Sequence, residues 1–269
     1  MEQPRLVASD VDGTLLTPPP GDIVTPRTAA VVARVLEAGV PFVLATGRPP
    51  RWVPQIAKAA GLDGLAVCAN GAVLYDIGRD EIVWARTLDP VQLHDIVSAI
   101  DNALPGCAFA VERVGTATDD VTFVAEISYT HPWPEGPNVG ATRAETLGHP
   151  AIKLLVRHTN MTSGEMAAGI GGVLGDQVDV TWSTNNGLIE LSVHGVTKAS
   201  GLADVVERFG VTAQDVIAFG DMPNDVEMLR WAGHGVAMAN GHEAALAAAD
   251  EVTASSAEDG VALVLERWF

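Results

Sequence analysis

Between residues 6 and 69 the chain alternates strand and helix signals so tightly that few folds remain open to it. Residues 6–9 read as a short apolar strand. Thr25-Pro26 then opens a helix, with threonine as the capping residue and proline in the first position, where a missing N–H costs nothing. Val31, Val32, Val35 and Leu36 give that helix an apolar stripe, and Gly39 ends it. Residues 40–45 form a second buried strand, 51–60 a second helix closed by Gly61, and 65–69 a third strand. A β-α-β-α-β order of this kind predicts a parallel sheet joined by right-handed crossovers.

The pattern changes from about Trp84 to about Asn186. Strands are expected at 108–112, 122–127, 152–156 and 178–182, and helices at 91–103 and 164–173, without strict alternation. The segment 130–138 carries three prolines, two of them flanking Trp133, and reads as a loop. Alternation resumes with a strand at 188–193, a helix at 198–209, a strand at 216–219 and a helix at 224–232. A strand at 235–238, a helix at 242–248, a strand at 251–253 and a closing helix at 257–267 follow. The expected fold class is therefore α/β. A doubly wound, Rossmann-like parallel sheet is built from residues 1–84 and 187–269, with an α+β unit, residues 85–186, inserted into it.

The 269 residues carry a formal charge of -18, which disfavours nucleic acid and anionic membranes as partners. No apolar run reaches the ~18 residues of a membrane span. Cys68 and Cys107 are far apart and form no C-x-x-C motif, which argues against a disulfide framework or zinc site and for a reducing cytoplasm. If the ligand is an anion, the site must make its own positive field.

Four segments carry chemistry. Asp10 and Asp12 end the first strand, followed by Gly13-Thr14. The period of two sends both carboxylates the same way, out of the carboxyl end, where open α/β sheets place ligands. Such a pair can hold a hard cation and divide nucleophilic and acid/base work. Thr14-Leu15-Leu16 breaks the calcium-loop pattern that D-x-D-G would otherwise suggest. Thr46-Gly47-Arg48, after the second strand, offers a hydroxyl, a flexible backbone and a guanidinium suited to an oxyanion, although a plain strand-to-helix turn fits equally well. Lys198 opposes the macrodipole at a helix N-terminus, so something anionic should stand beside it. Asp221-Met222-Pro223-Asn224-Asp225 ends another strand with a second acidic pair. Each segment alone has an ordinary structural explanation; all of them at the carboxyl ends of one parallel sheet do not.

In order and spacing these segments resemble the four signature motifs of the haloacid dehalogenase-like superfamily, in particular its Cof-type sugar-phosphatase branch. Cys68-Ala69-Asn70-Gly71-Ala72 resembles that branch's Asn-Gly motif, and the insert before Lys198 has the position and size of its α+β (type C2) cap. The resemblance implies a phosphatase in which Asp10 attacks phosphorus to give an aspartyl-phosphate, and Asp12 protonates the leaving oxygen and then activates water. It implies Mg²⁺ on the carboxylates of Asp10 and Asp221 and the backbone carbonyl of Asp12, with Asp225 supporting the metal site or orienting Lys198. Thr46, Gly47, Lys198 and Asn224 would bind the phosphoryl group, and Arg48, Asn70 and Gly71 the substrate. The expected substrate is a small phosphorylated metabolite, a sugar phosphate, enclosed as the cap closes. A phosphomutase using the same Asp10, or a non-catalytic phospho-receiver or sensor, are the competing readings. Monomer and homodimer both remain open.

Other motifs are weaker. The glycine run 169–175 misses the dinucleotide fingerprint by one position and falls in an expected helix. Residues 195–198 are too short for a phosphate-binding P-loop. The seven histidines form no metal-ligand spacing. His131 and Trp133 could line a substrate pocket, though packing in a proline-rich loop is the commoner role.

Overall fold

The computed structural model describes residues 2–18, 21–116, 122–130, 139–182 and 185–269. The chain begins with strand β1 (Leu6–Ser9), helix α1 (Pro26–Glu37), β2 (Phe42–Ala45), α2 (Val53–Ala60), β3 (Leu65–Cys68), β4 (Val73–Asp76) and β5 (Glu81–Ala85). It continues through α3 (Pro90–Ala103), β6 (Ala108–Arg113), β7 (Phe123–Glu126), β8 (Val139–Ala141), α4 (Arg143–Leu147), β9 (Ala151–Arg157), α5 (Ser163–Leu174), β10 (Val178–Thr181) and β11 (Leu188–Val193). It closes with α6 (Lys198–Phe209), β12 (Val216–Gly220), α7 (Val226–Trp231), β13 (His234–Met238), α8 (Glu243–Ala248), β14 (Glu251–Thr253) and α9 (Gly260–Leu265). Two units result, Met1–Trp84 with Thr197–Phe269, and Ala85–Val196.

The first unit holds a sheet in the order β14-β13-β12-β1-β2-β3-β4-β5. From β14 to β3 every pairing is parallel. The crossovers run outward from β1 in one direction and from β12 in the other, so the topological switch lies between these two central strands. Their residues are fully buried, as the unbroken apolar runs demand of a sheet covered on both faces. Leu6, Ala8, Val43, Val67, Leu202, Val205 and Ala218 pack into one core cluster. The α1 start follows its sequence signal, with the Thr25 hydroxyl accepting from Thr28 N–H at 3.1 Å.

The sheet is not wholly parallel: β4 pairs antiparallel with β3. Asn70-Gly71, expected from the sequence to contact the substrate, forms the turn that reverses the chain. Ala69, Asn70 and Gly71 all take positive φ, of 50°, 56° and 105°.

The second unit is a six-stranded sheet in the order β10-β11-β9-β6-β7-β8. Strands β6, β7, β9, β10 and β11 pair antiparallel, and β7 and β8 pair parallel. Leu93, Ile96 and Ile100 of α3 and Met166 and Ile170 of α5 pack with Leu154, Val156, Ile189 and Leu191 from the strands. The expected boundary at residue 187 is corrected here. Strand β11 does not rejoin the first sheet; it pairs with β9 and β10, and the second unit extends to Val196. An apolar strand looks the same whichever sheet receives it, because its partners are set by non-local contacts. The glycines at 169, 171 and 172 lie inside α5, in keeping with a helix and not a phosphate loop. His131 and Trp133 lie outside the described residues. No helix among the described residues is long and apolar enough to cross a membrane.

Candidate active site

Strands β1 and β12 run side by side, with Ser9 level with Phe219, so Asp10 and Asp221 leave the sheet from neighbouring carboxyl ends. The Asp10 N–H still donates to the Phe219 carbonyl at 2.9 Å, which fixes Asp10 as the last residue tied to the ladder. After it the chain turns sharply, with Gly13 at φ 75°. A side chain at Gly13 would begin 2.3 Å from Asp221 Oδ2, so the glycine leaves open the space in front of that carboxylate.

Among the described residues Lys198 supplies the ammonium of the cluster. It is the first residue of α6, 1% exposed, and its Nζ donates to Asp10 Oδ1 at 2.5 Å and Asp225 Oδ1 at 2.7 Å. The anionic neighbours that its opposition to the helix dipole requires are these two carboxylates. Gly71 lets the helix come this close: a Cβ there would sit 2.0 Å from the Thr197 carbonyl oxygen. Asp225, wholly buried, also accepts from the N–H groups of Asp221 and Met222 through Oδ2, both at 2.9 Å. It therefore orients both Lys198 and the backbone that carries Asp221.

Asp10, Asp221 and Asp225 each offer an oxygen within 4.8 Å of the others. Burial pushes the Asp10 carboxyl well up, against the opposing pull of Lys198. Burial, with the Asp225 charge, raises Asp221 to about 6 even though the Thr14 hydroxyl donates to it at 3.1 Å. Lys198 is driven up by its two carboxylates, which outweigh desolvation. With all three carboxylates ionised, the single ammonium would leave two formal negative charges, the amount a divalent cation neutralises. An all-oxygen donor set with an open approach at Gly13 suits a hard cation. The residues present thus fit a metal ion.

The carboxylate of Asp12 lies outside this cluster. It is about half exposed and held by Arg48, with Nε donating to Oδ2 at 2.9 Å and a terminal nitrogen to Oδ1 at 2.5 Å. Its charge still reaches Asp221 and adds to the rise of that carboxyl. Thr46 is fully buried at the end of β2, next to β1, and its hydroxyl oxygen accepts from Arg48 N–H at 3.1 Å. Gly47 lies against Asn70, whose Oδ1 would be 3.1 Å from an added Cβ. Asn224 is exposed and donates from Nδ2 to Asn70 Oδ1 at 3.0 Å, linking the 221–225 segment to the Asn70-Gly71 turn.

Three residues without an assigned role in the sequence hold this arrangement. Thr14 steadies Asp221. Asn240 donates to the Gly13 carbonyl at 2.8 Å and accepts from Ser256 N–H at 2.8 Å. The His242 N–H donates to the Asp221 carbonyl at 2.7 Å. Thr14 belongs to the segment that follows Asp12, and the Asn240-Gly241 turn after β13 is the local signal that could have drawn attention to the other two.

Residues 7–265 match the family of haloacid dehalogenase-like hydrolases. The chain belongs to this family, and it is an enzyme of the phosphoric monoester hydrolase type. It is 30% identical over 273 residues to the 5-amino-6-(5-phospho-D-ribitylamino)uracil phosphatase YitU of Bacillus subtilis (strain 168), covering 99% of this chain and 98% of the relative. It is 27% identical to the pyridoxal phosphate phosphatase YbhA of Escherichia coli (strain K12), with 96% of each covered. Among solved structures, a haloacid dehalogenase-like hydrolase from Bacteroides thetaiotaomicron superposes with a TM-score of 0.77 at 25% identity, over 98% of this chain and 99% of that one.

Proposed function

We propose that the protein is a Mg²⁺-dependent phosphatase that hydrolyses a small phosphorylated metabolite, a sugar phosphate or close analogue, through an aspartyl-phosphate on Asp10. The observation that carries this reading is Lys198, buried at the rim of the sheet between Asp10 and Asp225. By engaging Asp10 Oδ1 it leaves Oδ2 as the oxygen free to attack phosphorus. Lys198 and the Thr46 hydroxyl then donate to the phosphoryl oxygens as charge develops on them. A bound Mg²⁺, held by the Asp10 and Asp221 carboxylates and the Asp12 carbonyl, supplies positive charge for those same oxygens.

The leaving alkoxide takes its proton from Asp12. Asp12 must first release Arg48, which then serves the substrate instead. In the second half Asp12 accepts a proton from water, whose oxygen attacks phosphorus, breaks the bond to Asp10 and releases inorganic phosphate. Two named relatives act on small monoesters, one of a ribityl chain and one of pyridoxal, which supports a substrate of this size. Cys68 and Cys107 are free and buried, which supports a reducing cytoplasmic setting.

Asp10→Asn is the direct test. It keeps the shape and removes the nucleophile, so Mg²⁺-dependent phosphate release should fall at least about 10⁴-fold while the circular dichroism spectrum is unchanged. Substantial turnover by this variant would refute the assignment. Release of free phosphate from sugar monophosphates, without isomer formation, separates hydrolysis from phosphomutase activity.

A further inference from the structure

Asn240 lies outside the acidic cluster, yet its side chain is committed to the turn that carries Asp12. Asp12 takes φ -79° and ψ 121°, and Gly13 takes φ 75° and ψ -1°, the dihedrals of a type II turn with glycine at its second corner. One leg of this turn is tied to the sheet, because the Asp10 N–H donates to the Phe219 carbonyl at 2.9 Å. The other leg presents the Gly13 carbonyl, which accepts from Asn240 Nδ2 at 2.8 Å. Asn240 is itself held in place. Its Oδ1 accepts from the Ser256 N–H at 2.8 Å, which fixes the way the amide faces. Just after it, the Gly241 N–H donates to the Met238 carbonyl at 2.8 Å and the His242 N–H to the Asp221 carbonyl at 2.7 Å. A Cβ at Gly241 would sit 2.9 Å from that Asp221 carbonyl oxygen, so this segment is pressed against the backbone of Asp221. The Asn240 amide therefore sets the Asp12 turn at a fixed place relative to Asp221.

Folding gains little from this bond. Asn240 is exposed, and water can satisfy the Gly13 carbonyl in its absence. What water cannot supply is a fixed position, and that is needed during turnover. At rest the Asp12 carboxylate has a second tether, the Arg48 fork. Once Arg48 lets go, the backbone of the turn alone places the carboxyl group. We propose that Asn240 is a positioning residue for the acid step: by pinning the Gly13 carbonyl it holds Asp12 where its carboxyl proton passes to the leaving oxygen as the P–O bond breaks. The proposal rests on the phosphatase reading, with Asp12 as the acid. A displacement of about 1 Å forfeits much of a general-acid contribution worth about 10²–10⁴-fold. The loss falls on esters whose leaving oxygen needs a proton, and spares those whose leaving group departs as a stable anion.

The experiment compares benzyl phosphate, with a poor leaving group, and para-nitrophenyl phosphate, with a good one of similar size, on the full-length protein at saturating Mg²⁺. The quantity read is kcat/KM, which covers the steps up to loss of the alcohol or phenol and excludes the later hydrolysis of the aspartyl-phosphate. Asn240→Ala removes both side-chain bonds. Asn240→Asp keeps the acceptor for the Ser256 N–H and turns an oxygen towards the Gly13 carbonyl. In both variants the benzyl-to-nitrophenyl ratio of kcat/KM should fall at least about tenfold below wild type, with the circular dichroism spectrum unchanged. Asp12→Asn should lower the ratio at least as far. An equal loss on the two esters, the mark of a merely structural role, would overturn the proposal, as would a wild-type ratio in Asn240→Asp. A wild type that releases phosphate from neither ester refutes the phosphatase reading itself, an outcome distinct from a wild type active on both whose ratio ignores Asn240.

Discussion

Without a cation, the acidic cluster should make the protein less stable as pH rises, the reverse of what a salt-bridged carboxylate does. Asp221 shows this most clearly, because burial and the Asp225 charge raise it from an ordinary value of 3.8 to about 6. Between these values the folded protein holds a proton that the unfolded chain has released. Stability therefore falls as pH climbs through this window and levels off above about 6. A shift of about two units corresponds to roughly 3 kcal/mol. Asp221→Asn removes the charge but keeps an acceptor for the Thr14 hydroxyl. In EDTA the variant and wild type should match near pH 4, and by pH 7.5 the variant should be more stable by up to about 3 kcal/mol, or up to roughly 10 °C in midpoint. Differencing the two proteins cancels the titration of all other carboxylates to first order. Added Mg²⁺ should erase or invert the gap, since only the wild type retains the full ligand set; a cation at 100 times its dissociation constant contributes about 2.7 kcal/mol. A wild type as stable as the variant at pH 7.5 in EDTA, or a difference that does not change with pH, would refute this reasoning.

Three further outcomes follow from the geometry. Lys198→Met leaves Asp10 and Asp225 buried without their ammonium, and should cost about 3–5 kcal/mol at pH 7 in urea unfolding, with much of the loss recovered at acid pH where the carboxylates take up protons. Gly71→Ala places a Cβ 2.0 Å from the Thr197 carbonyl at a φ of 105°; it should push the start of α6 outward and lower kcat more than 10-fold, while a surface Gly39→Ala change leaves kcat unaltered. Glu251 is held down to about 2, first by its hydrogen bond from Arg267 and also by His234. Being depressed, it stabilises the fold fully above pH 4.5 and loses that contribution as pH falls towards 2, so Arg267→Met should flatten this part of the acid-unfolding curve.

The sequence by itself determined the strands that carry chemistry and the end of the sheet where they deliver it. Apolar runs such as 6–9 and 216–219 have no solvent-facing alternation, so they can only be buried strands, and their carboxyl ends must be where Asp10 and Asp221 emerge. The helix beginning at Lys198 was legible for the same local reason, as was the need for an anion beside it. Tertiary structure decided which anions those are. That Asp225 belongs to Lys198 and to the backbone of Asp221, while Arg48 takes Asp12 out of the acidic cluster, depends on distances between segments up to 188 residues apart. It also decided that β11 closes the second sheet and that β4 runs against β3. A strand's own residues specify its buried face, but its neighbour is chosen by hydrogen-bond ladders and packing distributed over the whole chain.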